Sequence, residues 1–98
     1  MHLTPEEQQW LDAYRTGIRS QHPGAVSRML IYGSKGRGDD TSESDLDVLL
    51  IVKNEASLLK RELRWIGYML AATSDTVPSI LAYTEAEIAF STLLSRAS

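Results

Sequence analysis

Cysteine is missing from the 98 residues, so no disulfide can help a core that must be modest at this length. That absence fits a reducing compartment, and the cytoplasm is the expected location. No apolar run is long enough to cross a bilayer. The longest, Leu46 to Val52, is interrupted by Asp47, whereas a spanning helix needs about 20 residues. The first residues, Met1-His2-Leu3-Thr4-Pro5-Glu6-Glu7, lack the basic-then-apolar order of a signal peptide. Positive charge is not in excess: the formal net charge is -3, which argues against nucleic acid as the main partner, because phosphate backbones are held mostly by Lys and Arg. The two histidines, His2 and His22, stand apart and suggest no zinc site. Repeats, linkers and low-complexity segments are also missing, and a single domain over residues 1–98 is the expectation.

What is present is an ordinary globular balance, with 43% apolar and 23% charged residues. Thr4-Pro5-Glu6-Glu7 reads as a capping box with proline at the first helical position. Trp10, Leu11, Tyr14 and Ile18 recur at spacings of three and four, so a helix runs from there to about Ser20, before the His22-Pro23-Gly24 breaker. Ala25 to Tyr32 reads as a strand, and Gly33 to Ser44 as a loop. Leu46 to Val52 is a second strand, expected to be buried on both faces. Leu58, Leu59, Leu63, Ile66, Met69 and Leu70 form a helical stripe over about Ala56 to Ala72. Val77 to Tyr83 is a third strand, and Thr84-Glu85-Ala86-Glu87 a second capping box opening a last helix. The expected fold is α+β in the order αββαβα, a small mixed sheet with helices mainly on one face.

The chemistry concentrates in one hairpin. Alternation along a strand puts Asp45 and Asp47 on the same side, about 6 to 7 Å apart at Cα. Asp47 lies between Leu46 and Val48, where a carboxylate needs compensation for lost solvation. Two such acids make a hard oxygen site suited to Mg2+. Just upstream, Gly33 permits a sharp turn, Ser34 offers hydroxyl and backbone donors, and Lys35 and Arg37 add positive charge. Mg2+ is commonly held by one or two carboxylates together with substrate phosphates. The turn is not a P-loop, since no Gly-Lys-Ser/Thr closes it, and its glycine spacing is not that of the dinucleotide fingerprint. Asp39, Asp40 and Glu43 read as loop surface. Trp10, Tyr14, Trp65 and Tyr68 read as packing residues, and Lys60, Arg61 and Arg64 as the solvated side of the central helix.

Gly33-Ser34-Lys35-Gly36-Arg37-Gly38 followed by Ser44-Asp45-Leu46-Asp47-Val48-Leu49-Leu50 resembles the signature of minimal nucleotidyltransferases of the DNA polymerase beta superfamily. The resemblance covers about Ala25 to Phe90. It implies the nucleotidyltransferase fold, with Gly33, Ser34, Arg37 and Ser44 at the nucleotide. Asp45 and Asp47 would be catalytic ligands of one or two Mg2+ ions. A nucleoside monophosphate would pass from an NTP, expected to be ATP, to a hydroxyl of a protein or small molecule. The same resemblance implies a third carboxylate on the strand after the central helix. Counting back from Thr84 puts Ser79 at that place, with Asp75 the nearest acid. The alternative is therefore a nucleotide-binding, antitoxin-like module acting through a small helical HEPN-type partner, as in toxin–antitoxin pairs. A third reading makes the chain a fragment of a larger transferase.

Overall fold

The computed structural model describes residues 3–32, 46–74 and 76–90. Helix α1 spans Pro5–Gln21, strand β1 Val26–Tyr32 and strand β2 Leu46–Val52. A 3-10 segment, Asn54–Leu59, leads into helix α2, Lys60–Ala71, which is followed by strand β3, Pro78–Thr84. Residues 85–90 open helix α3. The three strands form one mixed sheet in the order β1-β2-β3, with β1 antiparallel and β3 parallel to β2. This is the α+β arrangement expected from the sequence.

Both capping boxes form. Thr4 Oγ1 accepts from the Glu7 N–H at 3.1 Å and Glu7 Oε1 accepts from the Thr4 N–H at 2.9 Å. The same reciprocal pair joins Thr84 and Glu87 at 3.1 and 2.7 Å. Each satisfies two helix-end donors that would otherwise lack partners. Between α1 and β1 the chain reverses at His22-Pro23-Gly24-Ala25, where the Ala25 N–H donates to the His22 carbonyl at 3.1 Å. Gly24 there has φ of 79°, and proline followed by a left-handed glycine is the signature of a type II turn.

The core lies between the sheet and the helices. Trp10, Leu11, Tyr14 and Ile18 from α1 meet Leu46, Val48, Leu50 and Val52 from β2, with Leu63 and Ile80. Two aromatic side chains one helical turn apart lock α1 to α2. Trp10 Nε1 donates to the Gly67 carbonyl at 2.9 Å, and the Tyr14 hydroxyl donates to the Leu63 carbonyl at 2.6 Å. Donors and acceptors are both spaced by four residues, so the two helices match turn for turn. Gly67 makes the approach possible: a Cβ there would stand 2.5 Å from Ile80 Cδ1 and 2.9 Å from Tyr14 Cζ.

Four expectations need correction. β2 is not buried on both faces; its burial alternates, with Leu46, Val48, Leu50 and Val52 inside and Asp47, Leu49 and Ile51 half-buried. Helices cover only one side of the three strands among the described residues, so the other side meets water. The apolar stripe does not make one helix from Ala56. The first part is a 3-10 segment interrupted at Ala56 (φ -104°, ψ 17°), and the change of pitch turns Leu58 outward, 94% exposed. Trp65 and Met69, one turn apart on α2, are also exposed, so Trp65 is not a core residue. Finally, Lys60 and Arg64 are not merely solvated: Lys60 pairs with Glu87 across to α3, and Arg64 is half-buried with its Nε out of water.

Candidate active site

Asp47 is the second residue of β2 and stands at the end of the sheet where β1 finishes. Its register partners are Tyr32 on β1 and Ser79 on β3. Residues paired across adjacent strands share a face, with Cα atoms about 4.5 to 5.5 Å apart. Tyr32, Asp47 and Ser79 therefore form a row across all three strands. Because Val48 and its β3 partner Ile80 point into the core, this row lies on the face away from the helices. All three side chains are half-buried.

This placement changes the reason for Asp47. The sequence reading set its carboxylate in strand core, at a desolvation cost. The structure gives it a solvent-facing position instead, so burial does not by itself demand a compensating cation. What remains is its neighbourhood. Beyond it on the same face come Leu30, Leu49 and Leu81, then Arg28, Ile51 and Tyr83. Asp47 is thus the single acid of the described residues on a face whose other side chains are apolar or hydroxyl-bearing, apart from Arg28 at its far end.

Tyr32 is the residue that sequence reading missed. Burial pushes its phenol above the ordinary range, and the charge of Asp47 pushes in the same direction, as do Tyr83 and Tyr68. Tyr32 therefore stays protonated at neutral pH and can donate a hydrogen bond. Its position immediately before Gly33-Ser34 was visible, but its pairing with Asp47 follows only from the register of β1 on β2.

Ser79, expected where a third acid would stand, lies directly beside Asp47. A carboxylate at that position would converge with Asp47 on one cation; a neutral hydroxyl is a much weaker ligand. Gly33, Ser34, Arg37, Ser44 and Asp45, and also Asp75, lie outside the described residues. Among the described residues no group of three or more His, Asp or Glu side chains could hold a metal ion. The row can present one carboxylate flanked by two neutral oxygens, a hard donor set that fits a single Mg2+ completed by other ligands.

Sequence comparison places the chain in a known group. The family described as "Nucleotidyltransferase domain" matches residues 11–95. The chain belongs to that family. The match begins inside α1 and runs past the last described residue, so this nucleotidyltransferase domain takes in every described strand. A protein of Methanocaldococcus jannaschii (strain ATCC 43067 / DSM 2661 / JAL-1 / JCM 10045 / NBRC 100440), named "Putative protein adenylyltransferase", is 31% identical over 45 residues. That match covers 46% of this chain and 45% of the relative, so the two are similar over about half their lengths. No solved structure matches the chain. No helix among the described residues is long and apolar enough to cross a membrane.

Proposed function

We propose that this nucleotidyltransferase domain transfers a nucleoside monophosphate from an NTP to a hydroxyl, with Asp47 and Asp45 as the ligands of Mg2+. The observation that carries the reading is the position of Asp47: a carboxylate on the open face, at the strand end paired with Tyr32, the residue that precedes Gly33-Ser34 in the sequence, in a chain of this family. Bound Mg2+ would neutralise charge on the phosphates and on the departing pyrophosphate. Asp47 holds and orients, Gly33 and Ser34 offer donors to phosphate oxygens, and Arg37 and Ser44 complete the nucleotide contacts. The acceptor oxygen forms a bond to the α-phosphorus, the bond from that phosphorus to the bridging oxygen breaks, pyrophosphate leaves, and the acceptor's proton passes to water. The relative's name, a protein adenylyltransferase, favours ATP as donor and a protein hydroxyl as acceptor.

Ser79 supports a second reading. With a neutral side chain beside Asp47, the domain binds nucleotide and metal weakly or without transfer, and acts as an antitoxin-like module on a HEPN-type partner in the cytoplasm. Incubation with α-labelled ATP, GTP, CTP and UTP plus Mg2+, with and without a small helical partner, separates the two. Label transfer that is lost in Asp47→Asn supports the enzyme. Nucleotide binding without transfer to any partner supports the module, and absence of both nucleotide and Mg2+ binding contradicts either.

A further inference from the structure

The two outer edges of the sheet are treated differently. The edge of β3 is closed. Pro78 has no N–H to offer, the Ile80 N–H donates to the Tyr68 hydroxyl at 3.1 Å, and the Thr84 N–H donates to Glu87 at 2.7 Å. An edge blocked in this way resists pairing with another chain. On the other side, no described strand pairs with the outer edge of β1.

Along that open edge runs a groove of about 200 Å³ between β1 and α1. Its floor is apolar, from Ile18, Val26 and Met29, and its rim carries Arg15 and Arg19 from α1 and Arg28 from β1. All three arginines are exposed. Among the described residues no carboxylate pairs with any of them, since the ion pairs there join His22 to Glu62 and Lys60 to Glu87. Three unpaired positive charges thus gather at one strand edge of a chain whose net charge is -3.

We infer that this edge docks an extended acidic segment of a partner protein as an added fourth strand. A strand edge presents backbone N–H and C=O groups, which complement another peptide backbone and not a phosphate chain. Alternation sends one row of the added strand's side chains to the helix side, beside Arg15, Ile18, Arg19 and Met29, and the other row to the open face beside Arg28, so acidic residues on either row meet an arginine. A second copy of β1 fits poorly, because it would bring an edge with the same three arginines against this one, and like charges across an interface oppose pairing. The bulge between Val26 and Arg28 bends the first part of the edge, leaving Met29 to Tyr32 as the regular segment.

The test uses the whole chain and a fluorescently labelled peptide of eight residues alternating glutamate and valine, followed by anisotropy. Saturable binding is expected, and its lysine–valine counterpart should not bind. Methylating alternate backbone nitrogens of the glutamate peptide, in the frame that faces β1, should abolish binding to the unaltered protein. Arg15→Glu with Arg19→Glu should weaken it about tenfold, with the loss reduced at high salt, while Arg61→Glu on the far side of α2 should not. Equal binding of both peptides, indifference to backbone methylation, or no saturable binding overturns the inference. So does concentration-dependent dimerisation in sedimentation that Arg28→Glu changes, which would assign the edge to a second copy. Because none of these readouts involves nucleotide, they stand or fall separately from the transfer reaction.

Discussion

Tyr14 shows how much one side chain can carry. It is fully buried and donates to the Leu63 carbonyl, and burial pushes its hydroxyl well above the ordinary tyrosine range. A folded-state value raised above the unfolded one gives stability that is complete below about pH 10 and is lost as pH climbs above it. Chemical unfolding at stepped alkaline pH should show this loss in the native protein and a flatter profile in Tyr14→Phe. At neutral pH the same variant should lose about 1 kcal/mol with its hydrogen bond. Gly67 is the complementary case. Alanine in a helix interior gains up to about 1 kcal/mol over glycine, but the new methyl would meet the rigid Tyr14 ring at 2.9 Å as well as the movable end of Ile80. Overpacking of this kind costs about 1–3 kcal/mol. Gly67→Ala should therefore be net destabilising in denaturant titration, against the helix-propensity trend. Ser79 permits a test by gain. Ser79→Asp should tighten Mn2+ binding, read as a larger metal-induced rise in melting temperature, because it places a second carboxylate beside Asp47. No change would mean that the two strand positions do not converge on one cation.

At the level of elements, caps and periodicity were the readable signals. Both S/T-x-x-E boxes formed, because a capping box is local and needs no tertiary knowledge. β2 was located to the residue from its run of β-branched and leucine side chains. The errors occurred where tertiary context decides. A run of apolar residues cannot reveal whether a sheet is covered on one side or two, and so Asp47 was expected in a drier place than it occupies. Leu58 matched the helical stripe, but the chain must turn from β2 into α2 within a few residues, and the 3-10 segment that does so shifts its phase. The β3–α3 junction is a joint between elements that the sequence does not announce. The Lys60 side chain holds Glu87, the capping acid, and lowers its pKa, with the Thr84 backbone N–H as the next cause. A lowered carboxylate contributes stability that is present above its unfolded value of about 4.3 and fades as pH falls through the folded one. Lys60→Met should consequently show less acid-induced loss of stability than the native chain, measured by thermal melts in buffers stepped downward from pH 5.

For the whole molecule, the division of labour follows from covering one side of the sheet. Trp10 and Tyr14 fix α1 on α2, these helices seal the inner faces of β2 and β3, and the opposite face is left to carry Tyr32, Asp47 and Ser79 in one row. In the proposed transfer, that open face presents Asp47 as a ligand for the divalent cation. Gly33, Ser34 and Asp45 lie outside the described residues; Asp47 and the neutral position 79 were legible in the sequence, because they are residue identities at fixed spacing. Tyr32 was not, because its place beside Asp47 exists only once the strands are paired. The central claim is that Asp47 holds the divalent cation through which nucleotide is bound. Calorimetric titration of ATP into the native chain and into Asp47→Asn, each with Mg2+ and with EDTA, addresses it most directly. The prediction is saturable binding to the native chain that requires Mg2+ and is lost in Asp47→Asn, with both proteins melting alike. Equal, metal-independent binding to the two proteins would contradict it.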